Sequence, residues 1–106
     1  MSQTNDWQSL LGLAKRAGKV VSGEDTVLRM IRDRKARVVL LSDDASPRTK
    51  KTVTNKCTFY QVPLFNVPDR FILGKAIGQP ARVIVAVEDI HFAGGLIRRL
   101  EPSIRG

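Results

Sequence analysis

Few side chains in this sequence have the types and spacing that chemistry requires. Cys57 and His91 are its one cysteine and one histidine. Either could act as nucleophile or base, but they fall in different helical segments and no third group orients them. Cys57, between Val53 and Phe59, reads as a small buried apolar residue. His91 reads as an ordinary, partly exposed position in the first turn of the last helix. Asp43-Asp44 ends a strand-like run, where α/β folds often keep metal or active-site carboxylates. The loop that leads to Ser46 explains the pair more simply. Gly74-Lys75-Ala76 lacks the upstream glycine and the hydroxyl of a phosphate-binding loop, and one Cys with one His does not make a zinc site. The expectation is a protein without catalysis, metal or cofactor.

A binding constellation is present instead. Ser22-Gly23-Glu24-Asp25-Thr26 opens a helix directly after a strand-like segment. Backbone N–H groups at such a helix start can hold phosphates or base-edge acceptors. Glu24, Asp25 and Thr26 add hydrogen-bonding side chains, and carboxylates can accept from the exocyclic amines of bases. Arg29 lies one turn beyond Asp25 on the same outward face. Lys19, Arg32 and Arg34 flank the segment. A capping box between Ser22 and Asp25 would by itself explain Asp25; the surrounding cations make RNA contact the fuller account.

The charge balance points the same way. Eighteen Lys and Arg face ten Asp and Glu in 106 residues, a formal net charge of +8 and a pI near 10.4. Such an excess favours a polyanion through phosphate contacts and counterion release. It is uneven: residues 1–56 hold twelve bases and six acids, residues 57–106 six bases and four acids. A hydrophobic fraction of 42% argues against disorder. The apolar runs are too short to span a bilayer, and the polar start Met1 to Asp6 is unlike a signal peptide. With a lone cysteine, these features lead to the expectation of a cytoplasmic protein; the oligomeric state is not fixed by them, and a monomer is the expectation by default.

The elements that position these groups alternate. Trp7, Leu10, Leu11, Ala14 and Ala17 share one face of a helix over about 5–17, which Asn5 can cap and Gly18 can end. A short strand follows at 19–21, then a helix at about 23–33 with Val27, Met30 and Ile31 inward. The unbroken apolar run Val38 to Leu41 suits a strand covered on both faces. Ser46-Pro47 starts a helix reaching about Thr58, anchored by Val53 and Cys57 and carrying Arg48, Lys50, Lys51 and Lys56. A strand at 61–65 precedes a helix capped by Asp69. The last strand is placed at 82–87, and Asp89 caps a final helix with Ala93, Leu96, Ile97 and Leu100 on one face. Gly94-Gly95 within it signals close packing or a kink. The order α-β-α-β-α-β-α-β-α predicts one domain over 1–106, a three-layer α/β/α sandwich around a four-stranded sheet; the sheet is expected to be a mixed sheet, with an all-parallel one equally compatible with that order.

These residues also carry a resemblance. From Leu10 to Asp89 the sequence resembles the kink-turn-binding ribosomal-protein superfamily, and within it the bacterial YlxQ-type proteins. The matching stretches are 13–19 (Leu-Ala-Lys-Arg-Ala-Gly-Lys), 22–24, 35–41, 42–46, 73–78 and 83–87, in the family's order and spacing. The resemblance implies an α/β/α sandwich that binds kink-turn RNA, a helix–bulge–helix with sheared G·A pairs. The family reads those pairs with a Gly-x-Asn-Glu-x-x-Lys pattern, which falls here on Gly23 to Arg29. Gly23 matches and Arg29 keeps the lysine's charge. Asp25 and Thr26 depart from Asn and Glu, and an ionised Asp accepts where Asn can donate. The family's second contact, a loop before the last strand, falls on Gln79-Pro80-Ala81-Arg82-Val83, with Ala81, Arg82 and Val83 at its end. The expected function is non-catalytic recognition of kink-turn-type RNA, in association with the ribosome. The alternative is a regulatory or interaction module on the same fold with only general RNA affinity.

Overall fold

The computed structural model describes residues 6–101. All nine expected elements form, in the expected order: α1 (Asp6–Arg16), β1 (Val20–Ser22), α2 (Glu24–Arg32), β2 (Val38–Ser42), α3 (Pro47–Tyr60), β3 (Leu64–Val67), α4 (Arg70–Ala76), β4 (Ile84–Val87) and α5 (Ile90–Leu100). The expected cap at Asn5 lies outside the described residues.

The four strands form one mixed sheet in the order β1-β4-β2-β3. β2 and β3 run parallel, while β4 is antiparallel to both of its neighbours, β1 and β2. β1, β2 and β3 therefore all point the same way, and β4 alone runs back between β1 and β2. β2 is buried along its whole length, as its unbroken apolar run requires of a strand covered on both faces. Alternation along it feeds two cores. Val38 and Leu40 pack with Trp7, Leu11 and Ala14 of α1, Leu73 of α4, and Ala93 and Leu96 of α5. Val39 and Leu41 pack with Val27 and Ile31 of α2, and Val53 and Cys57 of α3. These two helical layers with the sheet between them are the expected α/β/α sandwich. Cys57 is the deep anchor of α3, and burial pushes its thiol up to about 11, so it stays a neutral apolar filler at physiological pH.

Several local expectations shift. β3 begins at Leu64 rather than Gln61, because Gln61 is still closing α3 in a left-handed conformation (φ 58°) and Val62 N–H donates to Cys57 O at 2.8 Å. β4 begins at Ile84 rather than Arg82. Ala17 is exposed rather than part of the apolar face of α1. Of the two glycines in α5, Gly95 makes the close contact: a Cβ there would come within 2.7 Å of Leu10 Cδ2 on α1, whereas Gly94 has room.

Candidate nucleic-acid interface

Because β1, β2 and β3 are parallel, the helices that follow them, α2, α3 and α4, all start at one edge of the sheet. We call this the leading edge. β4 enters the sheet there as well, so the loop before it meets the same edge. Open α/β sheets commonly bind ligands outside the carboxyl ends of their parallel strands.

The turn from β1 into α2 is built around Gly23. Its φ of 101° is a conformation that side-chain-bearing residues rarely adopt. It serves as the N-cap, but no side chain accepts a hydrogen bond from the first turn of α2. The expected capping box between Ser22 and Asp25 does not form. Ser22 is a β1 residue in register with Val85, and its hydroxyl accepts from Arg82 Nε at 3.2 Å. Long-range pairing has taken the group that a local cap would have needed. Gly23 N–H donates to Ile84 O at 3.2 Å, and Gly23 O accepts from Val27 N–H at 2.9 Å. The N–H groups of Glu24, Asp25 and Thr26 in the first turn are left without a capping side chain.

α2 is distinctive in this respect. α3, α4 and α5 are each capped by the residue the sequence indicates. Ser46 Oγ accepts from Thr49 N–H (3.2 Å), Asp69 Oδ1 from Phe71 and Ile72 N–H (2.9 and 2.8 Å), and Asp89 Oδ2 from Phe92 N–H (2.9 Å).

The loop before β4 is joined to this turn. Besides its bond to Ser22, the Arg82 guanidinium donates to Ala81 O at 2.7 Å and to Gln79 Oε1 at 3.1 Å. Arg82 N–H donates to Arg70 O at 3.0 Å. Gly74 sits so close beneath the loop that a Cβ would approach Ala81 Cα to 2.6 Å. Arg82 thus acts as a half-buried clamp that rigidifies the loop and ties it to β1. Ala81 and Val83 are half-buried on either side of it.

Sequence reasoning missed the neighbouring start of α3. Thr49 Oγ1 donates to Glu24 Oε1 at 3.0 Å and accepts from Ser46 Oγ at 3.1 Å. An open groove of about 610 Å³ lies between the two helix starts, lined by Glu24, Asp25, Ser46, Arg48, Thr49 and Thr52. The available signal was topological: two helices that follow parallel strands must begin at the same edge. Asp43 and Asp44 serve this edge structurally. Asp43 pairs with Lys50 at 3.8 Å, and Asp44 pairs with Arg70 Nε at 3.3 Å. Asp44 is held below its ordinary pKa, first by the nearby Ser42 hydroxyl and then by Arg70. The buried Ser42 Oγ itself does not reach full hydrogen-bond geometry with any group.

The site residues expected from the sequence divide between two places. Gly23, Glu24, Asp25, Thr26, Ala81, Arg82 and Val83 come together at the leading edge. Arg29 lies down the outward face of α2. Lys19, Arg32 and Arg34 do not join them. Lys19 precedes β1, and its carbonyl accepts from Glu88 N–H just past the end of β4. It therefore marks the opposite, trailing edge, about 13 Å of extended chain away from Gly23. Arg32 and Arg34 lie at the far end of α2, at that same trailing edge. The Arg34 guanidinium stands 5.2 Å from the ring centroid of Tyr60. His91 and Cys57 belong to helices on opposite faces of the sheet. Among the described residues no group of three His, Cys, Asp or Glu side chains could hold a metal ion, and no helix is long and apolar enough to cross a membrane.

Comparison with known proteins fits this geometry. The family model for the ribosomal protein L7Ae/L30e/S12e/Gadd45 family matches residues 5–93. The chain belongs to the L7Ae/L30e/S12e/Gadd45 family. Its relatives in this family include the RNA-binding protein YlxQ of Bacillus subtilis (strain 168), 54% identical over 96 residues, 91% of this chain and 96% of that protein. The RNA-binding protein YlxQ of Enterococcus faecium is 40% identical over 98 residues, 92% of this chain and 90% of that one. The resemblance to YlxQ-type proteins therefore extends past the stretch from Leu10 to Asp89. Among solved structures, a protein of unknown function from Bacillus halodurans C superposes with a TM-score of 0.88 at 40% identity, covering 90% of this chain and 96% of that one. The Giardia lamblia 15.5kD RNA binding protein superposes with a TM-score of 0.82 at 15% identity, covering 95% of this chain and 89% of that one. At that identity the likeness is one of fold.

Proposed function

We propose that this chain is a non-catalytic, cytoplasmic RNA-binding protein, one domain that recognises kink-turn-type RNA at its leading edge and associates with the ribosome as a monomer. The observation that carries this reading is the union of two segments distant in sequence. The open first turn of α2 and the clamped loop before β4 are joined by Gly23 to Ile84 and by Arg82 to Ser22. These are the two segments to which the family resemblance assigns RNA contact, and the two YlxQ relatives bear the name of RNA-binding proteins. In this reading the N–H groups of α2 receive acceptors of the RNA. Asp25 and Thr26 face the G·A pairs, Arg29 reaches a base edge or phosphate, and Ala81 to Val83 pack against the bulge. Asp25, where the family pattern has Asn, favours a second reading of weaker, more general RNA affinity.

A salt-titrated binding assay on two RNAs tests the proposal. One carries intact sheared G·A pairs; in the other, Watson–Crick pairs replace them. The kink-turn RNA should bind more tightly, and affinity should fall steeply with salt, with about 0.9 added to the log–log slope per neutralised phosphate on a duplex. Arg29→Ala should weaken the kink-turn complex by about 1–3 kcal/mol and leave the melting temperature unchanged, since Arg29 is exposed. Equal affinity for both RNAs would establish the second reading, and no binding at low salt would refute both.

A further inference from the structure

The trailing edge carries a surface that kink-turn recognition does not use. Phe59 lies in the last turn of α3 with 75% of its surface exposed. Its neighbour Tyr60 packs against the core beneath α2 and α3. The two rings meet edge to face, with centroids 4.8 Å apart and planes at 79°. This contact braces Phe59 from one side. From α2's end, the Arg34 guanidinium lies 5.2 Å from the Tyr60 ring centroid. Arg34 is held there in a left-handed backbone conformation, φ 61°, which is uncommon for a residue with a side chain and marks a constrained position. Lys56, one turn before Tyr60, projects from the same stretch of α3.

The charge around these rings is lopsided. Residues 32–37 hold four bases and one acid, and Arg32, Arg34, Lys35 and Arg37 are all exposed. No ion pair engages any of these four or Lys56 with another described residue. An exposed aromatic ring, braced by a second ring that carries a guanidinium and sharing its edge of the sheet with exposed cations outside any ion pair, is an arrangement by which proteins hold single-stranded nucleic acid. The ring stacks a base and the cations follow the phosphates. An exposed ring alone would also suit a protein partner; the ring together with a guanidinium and exposed cations matches the alternation of base and phosphate along a single strand.

We propose that Phe59, with Arg34 and Lys56, forms a second RNA-contacting surface that takes an unpaired, single-stranded segment. Phe59 is the stacking platform, while Arg34 and Lys56 contact the backbone. This surface lies at the opposite edge of the sheet from the turn of α2, so one protein can engage a folded motif and a neighbouring single strand at once. The proposal stands whether or not the leading edge reads kink-turns.

The test is fluorescence anisotropy with two probes, a labelled twelve-nucleotide single strand of uridines and a short kink-turn duplex without overhangs. Phe59→Ala should weaken single-strand binding by roughly 5- to 150-fold, the range for loss of one base–aromatic stack. It should leave the duplex affinity within about twofold, as expected for contacts at a separate surface. Phe59→Trp, which keeps a stacking face, should retain single-strand binding. Arg34→Ala should weaken the single-strand complex and flatten its salt dependence. Ultraviolet crosslinking of the uridine strand should place the crosslink in the peptide containing Phe59. Phe59→Ala is expected to fold, since the ring is exposed, and a melting curve checks this. Unchanged single-strand affinity in folded Phe59→Ala would overturn the proposal and leave this surface to a protein partner. Equal loss on both probes would also overturn it, by making the two surfaces one. Failure of kink-turn discrimination alone bears only on the leading edge.

Discussion

The two edges of the sheet differ in how they use charge. At the leading edge, Glu24, Asp25, Asp43, Asp44 and Asp69 stand among Arg48, Lys50, Lys51, Arg70 and Arg82, so acids and bases balance. Many of them are engaged: Asp69 caps α4, Asp44 holds Arg70, Lys50 pairs with Asp43, Glu24 accepts from Thr49 and Arg82 clamps its loop. At the trailing edge, Lys19, Arg32, Arg34, Lys35, Arg37 and Lys56 face Asp33, Glu88 and Asp89, and Asp89 is engaged in capping α5. The net positive charge that suggests a polyanionic partner is thus concentrated away from the turn with the most specific geometry. In the proposed reading the difference separates two tasks. A rigid, charge-balanced edge with directed donors suits discrimination between RNAs, whereas a cationic edge with an exposed ring suits affinity without sequence preference.

Breaking one edge alone should show this separation. The largest effect is expected from Gly74→Ala. Its new Cβ would press on the Ala81 backbone, which cannot turn aside as a flexible side chain could. Overpacking of this kind costs about 1–3 kcal/mol, and it would displace the loop that Arg82 clamps. Chemical denaturation should show the lost stability. Binding assays should show weakened kink-turn affinity with single-strand affinity retained by the folded fraction.

Next in size is the contrast between two helix starts on the leading edge. Ser46→Ala removes the cap of α3 and should cost about 1 kcal/mol of stability, read from the denaturation midpoint. Asp25→Ala should stay within about 0.5 kcal/mol of the parent, because Asp25 caps nothing. If Asp25→Ala destabilised the protein as much as Ser46→Ala, the open state of the α2 start would be wrong.

The smallest structural change, Asp25→Asn, should leave stability nearly untouched. It removes a negative charge near phosphate and restores a donor, so kink-turn affinity should rise more than affinity for the Watson–Crick control. An equal rise on both RNAs would mean that Asp25 acts through charge alone.

Much of this molecule was legible in local patterns. The caps at Ser46, Asp69 and Asp89, the apolar spacing in α1 and the unbroken run of β2 each express a short-range rule, and each element formed. The Ser22–Asp25 capping box obeyed an equally good local rule and failed. A long-range partner, Arg82, sixty residues away, bonds the Ser22 hydroxyl, and Gly23 turns the chain where the box would have closed. Nearness in sequence suggests a single site for the cations of α2 and its flanks. A nine-residue helix spans about 13 Å, enough to send Arg32 and Arg34 to the other edge from Asp25.

The sequence by itself determined the alternation of helices and strands, the burial of β2, the caps of three helices and the excess of positive charge. All of these depend on residue types and on spacings of a few residues. Only the tertiary structure decided that β4 runs antiparallel between β1 and β2. That pairing depends on contacts between residues 43 to 67 positions apart, and no spacing along the chain records the direction of a strand. Through it the loop at 79–83 meets the turn at 22–26 and Arg82 becomes a clamp, while the parallel pairing of β2 with β3 brings Phe59 to the edge that holds the cations of residues 32–37.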